Sequence, residues 1–534
     1  MLERQTRTPR PWSKRAPDDR RYDVIVIGSG MGGMTTAALL AKTGKKVLVL
    51  EQHYVPGGYT HAFRRQGFTW DVGVHLVGEV TDNTASGRLL EHLTEGRLSW
   101  EPLGATYDSF WFPDAEPFHF PDHPDDFQHM LKARFPHATD QVEAYMDGVR
   151  DATRHLRGYY AGRALPGMLG RMLGGYMGRA ADADLQRTAA DALRPLVPDE
   201  KLRAVVSGQW GYHGAPPSQV SWALHAAVVK HFWYGAWYPV GGAASIARAL
   251  LQTVANAGGW TRICAPVEQI MLRNGRAEGV RLESGEEILA PRIVSAIGAV
   301  PTATRLLPDN HRDQAWCTDL QQLRAGPAHV CLYLGFHGDI EAAGATRASQ
   351  WFYKTWSHDQ ATWNVHPGQT VPDAPVLFTS YPSLKDPEHN PGPQQKHTGE
   401  IITFVPWEQF TPWVGTPWRK RGEDYDAFKE AMTERLLAQL FAERPDLKPL
   451  LVHHELATPV SSDTFVRPDR GSIYGLAAHP DRFASRWLRP QSPIPGLWMS
   501  GQDIVSCGVM GAFSGGMLCA AAMDPLRVGP MIAR

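Results

Sequence analysis

The sequence has little of what defines small secreted proteins or nucleic-acid-binding proteins. It has five cysteines among 534 residues, widely separated and without a C-x-x-C pair. This excludes a disulfide framework and a structural zinc finger, and it is typical of a reducing compartment. Lys and Arg (54) balance Asp and Glu (55), for a net charge of −1. Because a nucleic-acid-binding surface needs a basic excess, we expect no nucleic-acid partner.

Long uncharged stretches are also scarce. The run Ile504–Met523 has no charged residue and matches the length of a bilayer span. It is rich in glycine and serine, however, so we predict a buried helix beside a ligand and no transmembrane helix. The first 21 residues hold seven Arg or Lys and have no apolar segment like that of a secretion signal. We expect residues 1–20 to form a disordered basic arm, with contact to a membrane surface as the alternative.

A dinucleotide-binding pattern lies near the amino terminus. The apolar run Tyr22–Ile27 predicts a buried strand, and Thr35–Ala41 has the composition of a helix. Val47–Leu50 predicts a second strand, and Glu51 stands at its end. Between the first strand and the helix is a G-x-G-x-x-G motif. Strand, turn, helix, strand and acid all occur at the spacing of a Rossmann unit.

Each residue of this motif has a physical task. Gly28 permits a tight turn, Gly30 lets the backbone approach a pyrophosphate, and Gly33 lets the helix pack closely on the strand. The helix amino terminus offers unpaired N–H groups to phosphates. Glu51 can accept hydrogen bonds from ribose hydroxyls. The residues predicted to surround the phosphates and ribose are Gly28, Gly30, Met31, Gly32, Gly33, Glu51 and Gln52. The motif alone does not separate NAD from FAD.

Further motifs resemble those of a known family. The segments are Gly57–Gly58 followed by Arg64–Arg65, then Trp70–Gly73 with Val74–Gly78, and finally Gly496–Asp503. They are similar to segments of the FAD-dependent phytoene desaturase, carotenoid isomerase and retinol saturase family. That family belongs to the wider group of amine-oxidase-like flavoproteins. The resemblance implies that the dinucleotide is FAD.

The resemblance also implies the architecture. We expect an α/β protein, with a discontinuous Rossmann-type FAD-binding domain and an α+β substrate domain. The predicted FAD-binding segments are 21–80, 236–300 and 491–534, and the predicted substrate-binding segments are 81–235 and 301–490. Additional predicted cofactor-binding residues are Gly57, Gly58, Arg65, Val267, Ser295, Gly501, Asp503, Gly508, Val509 and Gly511. The glycines near 508 would direct a helix amino terminus at the flavin.

In this family the substrates are long, apolar and often conjugated, and C–C bonds are desaturated, saturated or isomerised. The sequence does not choose among these reactions. Candidates for proton handling are His75, Glu79 and Tyr381, each with a structural role as the alternative. His453 and His454 are adjacent on a predicted strand and would point to opposite faces, so we predict no metal site.

Two other classes compete with this interpretation. Carriers of prenyl lipids of the GDP-dissociation-inhibitor type resemble the same fold without being enzymes, and an amine oxidase would act on a polar amine. The complete phosphate-binding turn favours an enzyme. We expect a cytoplasmic protein that associates peripherally with a membrane, and residues 155–180 form a candidate membrane-facing lid. The oligomeric state stays open.

Overall fold

The computed structural model describes residues 10–16, 21–165 and 167–533, with the side chains of 167–169 and 171 left aside. The strands are β1 (Trp12–Ser13), β2 (Val24–Ile27), β3 (Val47–Leu50), β4 (Ala62–Arg65), β5 (Phe68–Asp71), β6 (Trp100–Pro102), β7 (Thr106–Trp111), β8 (Phe118–Pro121), β9 (Trp237–Pro239), β10 (Trp260–Arg262), β11 (Val267–Arg273), β12 (Arg276–Leu282), β13 (Glu287–Leu289), β14 (Ile293–Ser295), β15 (Ala328–His337), β16 (Ser349–Tyr353), β17 (Val376–Ser380), β18 (Lys396–Val405), β19 (Leu451–Ala457) and β20 (Leu497–Met499).

The α-helices are α1 (Met31–Lys42), α2 (Ala85–Thr94), α3 (Pro124–Arg134), α4 (Thr139–Arg154), α5 (Leu156–Ala164), α6 (Gly167–Gly178), α7 (Asp182–Gln186), α8 (Ala189–Leu196), α9 (Glu200–Ser207), α10 (Trp222–His231), α11 (Ala244–Asn256), α12 (Ala299–Pro301), α13 (Ala315–Gln321), α14 (Pro382–Lys385), α15 (Glu423–Glu443), α16 (Pro459–Phe465), α17 (Pro480–Ala484), α18 (Gly508–Met523) and α19 (Pro525–Ile532).

A six-stranded parallel sheet forms the first half of the fold, in the order β1-β10-β3-β2-β14-β20. Its central strands β2 and β3 are fully buried. Their sequences are unbroken runs of Val, Ile and Leu, as expected for parallel strands covered on both faces. The strands come from distant parts of the chain, so the sheet joins its beginning, middle and end.

Helix α1 lies between the carboxyl end of the chain and the parallel sheet. Eleven of its twelve residues are buried, because it packs against both α18 and α11. Small residues on α1 and α18 permit this packing: a Cβ on Gly516 would lie 2.5 Å from the carbonyl oxygen of Gly32. The predicted uncharged helix near the carboxyl end begins at Gly508, and all its residues are buried or half-buried.

A seven-stranded sheet forms the second half, in the order β19-β15-β18-β17-β16-β7-β8. The pairing is antiparallel except between β16 and β7, which are parallel. Helices α4, α8, α9 and α10 contribute to the apolar core on one face of this sheet. The long helix α15 contributes to the core on the other face. The combination of this sheet with the parallel one is the predicted α/β, amine-oxidase-like fold.

The parallel sheet is interrupted after β10. The strand β10 ends at Arg262, and β11 begins only at Val267. Cys264 adopts a positive φ of 53°, and Pro266 has no N–H to donate to a ladder. The chain therefore leaves the parallel sheet at this point and enters the separate antiparallel sheet β11-β12-β13.

The predicted disordered arm is wrong for residues 10–16. Trp12 and Ser13 form the edge strand β1, which pairs with Thr261 and Arg262 of β10. The Trp260 indole N–H donates to Ser13 Oγ at 3.0 Å, and Trp12 packs against the core around α1. The apolar surface of Trp12 and the open edge of β10 together order this segment. The rest of the predicted arm, residues 1–9 and 17–20, lies outside the described residues.

Three further features bear on function. All five cysteines are free, with Cys264 exposed and the other four buried. Within residues 10–16, 21–165 and 167–533, no helix is both long and apolar enough to cross a bilayer. The same part of the chain brings no three His, Cys, Asp or Glu side chains together in a metal-binding group.

Candidate active site

A cavity of about 410 Å³ lies between the parallel sheet and the seven-stranded sheet. It receives residues from the beginning, the middle and the end of the chain. The predicted cofactor residues that line it are Gly28, Gly30, Met31, Gly32, Glu51, Gln52, Gly58, Val267, Gly501, Asp503, Gly508 and Val509.

The turn after β2 has the backbone geometry that its glycines predict. Gly28 adopts a φ of 93°, a conformation that other residues rarely adopt. A Cβ on Gly33 would lie 2.2 Å from the carbonyl oxygen of Gly28, so a side chain there would separate α1 from the turn. Gly58 approaches Gly30 so closely that an added Cβ would lie 2.9 Å from the Gly30 Cα. The amino terminus of α1 is therefore accessible from the cavity.

Glu51 is held at the end of β3 by three donors. Its Oε2 accepts hydrogen bonds from the Ser29 N–H at 3.0 Å and the Ser29 hydroxyl at 2.5 Å, and its Oε1 accepts from the His53 N–H at 2.8 Å. The Gly57 N–H in turn donates to Ser29 Oγ at 2.9 Å. This network fixes the carboxylate in the cavity wall, where it can accept from ribose hydroxyls.

The carboxyl-terminal block closes the cavity from the opposite side. A Cβ on Gly32 would lie 2.4 Å from the Gly501 Cα, so the two backbones are in direct contact. Asp503 is 4% exposed and accepts from the Ala299 N–H at 2.8 Å and the Leu476 N–H at 2.9 Å. It therefore joins three chain segments at the cavity. Gly508 and Val509, at the amino terminus of α18, line the cavity.

Five predicted cofactor residues lie outside the lining. Gly33, Gly57 and Gly511 support it from behind: a Cβ on Gly511 would lie 2.1 Å from the Ser506 carbonyl oxygen. Ser295 is buried in β14 and contacts the Thr302 hydroxyl at 2.7 Å. Arg65 points away from the cavity, with its Nε 3.7 Å from Glu455 Oε2.

Residues of the seven-stranded sheet line the other side of the cavity. They are aromatic and aliphatic side chains with no acid or base among them, namely Trp351, Val376, Phe378, Ile402 and Phe404. Tyr59, Tyr212 and Tyr474 add further aromatic surface. The Tyr212 hydroxyl donates to Asp108 and the Tyr474 hydroxyl to the Gly211 carbonyl, so both hydroxyls are engaged away from the apolar space. We refer to these eight residues as the apolar wall.

The three predicted proton-handling residues occupy different environments. His75 lines the cavity, and its ring contacts Phe378 edge to face at 5.2 Å between centroids. Glu79 is exposed, outside the lining, and its Oε2 lies 3.2 Å from His231 Nδ1. Tyr381 is buried in the core under the seven-stranded sheet, where it packs against Gly399. Only His75 can reach a molecule bound in the cavity.

The sequence patterns missed a set of buried ionisable residues behind the apolar wall. Glu400 lies beside His75, and Lys385 donates to the His75 carbonyl at 2.9 Å. Asp108 accepts from Tyr212 and from the Trp351 indole. Burial raises the pKa of Asp108 to about 7 and lowers the pKa of Lys385 to about 7. Lys385 lies in Tyr381–Pro387, whose P-S-x-x-D-P pattern resembles a segment of the same family and could have drawn attention to this lysine.

The residues present fit FAD. The amino termini of two helices, α1 and α18, reach the cavity from different ends of the chain and suit phosphates and an electron-rich ring edge. A Cβ on Gly30 would meet no protein atom within 4 Å, so the backbone there borders open space in the cavity where a ligand can approach closely. When bound, FAD supplies two-electron hydride chemistry, and the protein supplies binding, orientation and exclusion of water.

Comparison with known proteins agrees with this geometry. The chain is 30% identical over 532 residues to an all-trans-retinol 13,14-reductase of Danio rerio, covering 96% of this chain and 87% of the relative. It is 24% identical over 527 residues to a chloroplastic prolycopene isomerase of Daucus carota, covering 94% and 80%. A solved structure of putrescine oxidase shares the fold, with a TM-score of 0.61 at 15% identity, covering 96% of this chain and 99% of that one.

The family assignment follows from a match along most of the sequence. Residues 31–523 match the family described as flavin containing amine oxidoreductase. This confirms the predicted cofactor, FAD, and the prediction of an enzyme, so the alternative of a non-enzymatic carrier is not supported. The chain belongs to the flavin containing amine oxidoreductase family and is an FAD-dependent oxidoreductase.

Proposed function

We propose that this enzyme transfers hydrogen to or from a C–C bond of a long conjugated lipid, and that the reaction is saturation of a double bond. The observation that carries the proposal is the apolar wall facing the cofactor side of the cavity. A polyene has no charge to pair and buries best against aromatic and aliphatic side chains. The relatives named as retinol 13,14-reductases support a retinoid or carotenoid as substrate.

The wall also distinguishes a lipid from a polar amine. The acidic residues that line the cavity are Glu51, Glu268, Glu283, Asp469 and Asp503, and they come from the cofactor-binding strands or from the loops beside them. On the seven-stranded sheet, the lining side chains carry no carboxylate that could bind an ammonium group. A charged amine on that side would lose its hydration with only aromatic faces, and no carboxylate, to compensate, which favours an uncharged substrate.

Isomerisation of a polyene is the second candidate. The similarity to prolycopene isomerases favours it, and the same apolar wall suits both reactions. Saturation changes the substrate by two hydrogens, whereas isomerisation leaves its mass unchanged. The two reactions are therefore separable by product analysis.

The experiment uses the holoenzyme with its flavin reduced under anaerobic conditions. It is mixed with all-trans-retinol, with a poly-cis carotenoid, or with putrescine as the amine control. Mass spectrometry is expected to show a retinoid or carotenoid heavier by two hydrogens, together with reoxidation of the flavin. A product of unchanged mass and altered retention supports isomerisation. Reoxidation by neither polyene, or flavin reduction by putrescine in the oxidised enzyme, contradicts the proposal.

We further propose that the protein is cytoplasmic and meets a membrane through the helical hairpin α5–α6. Helix α6 exposes large apolar side chains, with Met172 at 72% and Tyr176 at 77% exposure. Exposed Arg157 and Arg179 flank them and suit anionic headgroups. The five free cysteines agree with a reducing compartment.

The hairpin is connected to the cavity. On α5, the Tyr160 hydroxyl donates to the Val505 carbonyl at 2.8 Å, two residues from the lining residue Asp503. Arg163 donates to the carbonyls of Phe483, Ser485 and Leu488, which fixes α5 to the body of the protein. A lipid that leaves the bilayer at α6 would therefore meet the protein near the active site.

Liposome flotation tests this surface. Wild-type protein is expected to float with vesicles that contain anionic lipid, and M172E/Y176E is expected to remain in the dense fraction. The matched control is L526E, because Leu526 is 88% exposed on α19, outside the hairpin. Equal flotation of all three proteins contradicts the assignment of the hairpin, and no flotation of the wild type contradicts membrane association.

A further inference from the structure

Glu400 and His75 form a buried pair behind the apolar wall. His75 Nδ1 lies 2.9 Å from Glu400 Oε2, and the Glu400 side chain is completely inaccessible to solvent. Among the described residues, neither carboxylate oxygen and neither ring nitrogen has a hydrogen-bond partner, because even the 2.9 Å approach of Nδ1 to Oε2 lies outside hydrogen-bond geometry. Buried polar groups in proteins are nearly always satisfied, so a pair left this way needs a functional explanation.

The position of the pair relates it to the substrate side of the cavity. Glu400 lies on β18 in alternation with Ile402 and Phe404, so all three belong to the same face of the strand. Ile402 and Phe404 belong to the apolar wall, and His75 itself lines the cavity. Glu400 itself does not line the cavity, and His75 lies between Glu400 and the surface that a substrate would touch.

Lys385 controls the charge around the pair. It is fully buried, and its Nζ donates to the His75 carbonyl, to Ser349 Oγ at 3.1 Å and to Ser380 Oγ at 2.9 Å. Ser380 is paired with Glu400 across β17 and β18. Burial raises the pKa of Glu400 well above its usual range, and burial together with Lys385 lowers the pKa of His75 to about 3. Burial therefore favours the protonated carboxyl group of Glu400 and the neutral ring of His75.

We propose that Glu400 is the proton store for saturation of the lipid double bond and that it acts through His75. This rests on the proposed function. Saturation adds a hydride, with its two electrons, to one carbon, and a proton to the other, which forms its C–H bond with the π electrons. The hydride comes from the reduced cofactor. His75 Nε2 is buried in the free protein, so the substrate must displace the side chains that cover it. The proton then leaves Glu400 Oε2 for His75 Nδ1 as the Nε2–H proton passes to the carbon, so His75 ends neutral and Glu400 ends as a carboxylate.

The surroundings suit this transfer. The carboxylate that remains is stabilised by the protonated form of Lys385, whose charge acts on Glu400, and a proton from solvent restores the acid after each turnover. His75 is the catalytic residue because it alone of the two lines the cavity, and Glu400 is a positioning residue that holds the proton. The other ionisable groups whose charges act on the pair or on Lys385 are Asp71, Asp108, Tyr238, His329, Cys331, Tyr333 and Arg347.

The test combines kinetics with infrared spectroscopy on the holoenzyme. We expect E400Q to lower the single-turnover saturation rate of all-trans-retinol by about 100-fold, in the range of a lost general acid. E400D is expected to recover part of that rate, and H75Q to match E400Q. The matched control is D481N, which removes a surface pair in which Asp481 Oδ2 lies 3.0 Å from His479 Nδ1, and it is expected to retain the wild-type rate and pH profile.

Infrared spectra identify the store without substrate. The difference spectrum of wild type minus E400Q near pH 7 is expected to show a protonated carboxyl band, whereas wild type minus D481N is expected to show none; Asp71 and Asp108, with pKa values raised to about 7, contribute equally to all three proteins and cancel. Absence of this band from the first difference spectrum overturns the proposal, as does an unchanged rate and pH profile in E400Q. If E400Q does not fold with bound flavin, the single-turnover rates and pH profiles of E400D and H75Q test the proposal instead, and wild-type values in both variants overturn it. Failure of wild type to reduce any polyene instead overturns the proposed function, so the two failures are distinguishable.

Discussion

Thr36 and Ser500 are 464 positions apart in the sequence, and their hydroxyl oxygens lie 2.8 Å from each other. Thr36 Oγ1 also lies 3.1 Å from the carbonyl of Gly516, and Ser500 Oγ lies 3.1 Å from the carbonyl of Gly32. These contacts join α1 to Ser500 and to α18 about one helical turn beyond Gly32 and Ala512, which line the cavity. The two ends of the chain therefore build one cofactor site, and a change at their contact is expected to affect flavin binding first.

Gly32→Ala is expected to separate the two ends. Its Cβ would lie 2.4 Å from the Gly501 Cα, where backbone cannot yield as a flexible side chain would. We expect a loss of about 1–3 kcal/mol in the free energy of unfolding and a low flavin content, measured by thermal unfolding and by visible absorbance. Gly529→Ala is the control, because a Cβ there meets nothing within 4 Å. Full flavin content in Gly32→Ala would contradict the close contact.

Glu51→Gln is expected to weaken FAD binding. The substitution removes the charge from a carboxylate that orients Ser29 and His53 and faces the cavity. A charged hydrogen bond contributes about 1.5–3 kcal/mol, so the FAD dissociation constant is expected to rise about 10- to 100-fold. Titration of the apoprotein with FAD by fluorescence measures it, with the exposed Glu91→Gln as control. An unchanged FAD dissociation constant would show that Glu51 does not contribute to FAD binding.

Phe404→Ala is expected to weaken binding of the lipid. Phe404 is 5% exposed and lines the cavity from the apolar wall. Loss of one buried aromatic side chain corresponds to about 1.5–3 kcal/mol, or about 10- to 100-fold in the dissociation constant for retinol. Phe410→Ala removes an equally buried ring from the opposite core and is expected to lower stability without changing that constant. Equal effects of both variants on retinol binding would contradict the claim that the apolar wall binds the lipid.

His358 is expected to make stability depend on pH. Burial lowers its pKa from 6.5 to about 4, and the neutral ring accepts from the Trp210 indole at Nδ1 and donates to the Ala204 carbonyl at Nε2. Because the unfolded chain takes up a proton more readily, this contribution is complete above pH 6.5. It is lost as the pH falls toward 4.

The comparison is between wild type and His358→Gln, which keeps a donor and an acceptor but does not titrate. The difference in the free energy of unfolding between wild type and His358→Gln is expected to shrink by at most about 3 kcal/mol between pH 6.5 and 4. The difference between their melting temperatures, followed over the same pH range, reports this change. A constant difference across this range would show that His358 is not held neutral.

The sequence determined the cofactor and its half of the fold. The apolar runs of β2 and β3, the glycines between them and Glu51 are local patterns, and local geometry dictates what each can do. The prediction of FAD needed the resemblance of later motifs as well, because a G-x-G-x-x-G turn also suits NAD. Arg65 lies outside the cavity lining because strand residues alternate between two faces, and the motif does not indicate which face meets the cavity.

Only the tertiary structure decided which acids and bases meet. Glu400 comes from β18 and His75 from the loop after β5, and no spacing in the sequence relates them. Glu79 is four residues from His75, yet it turns outward at a φ of 53° and contacts His231 instead. Sheet pairing over hundreds of residues places a carboxyl group behind an apolar wall, and burial there sets its protonation. That environment is a property of packing, which a linear pattern does not contain.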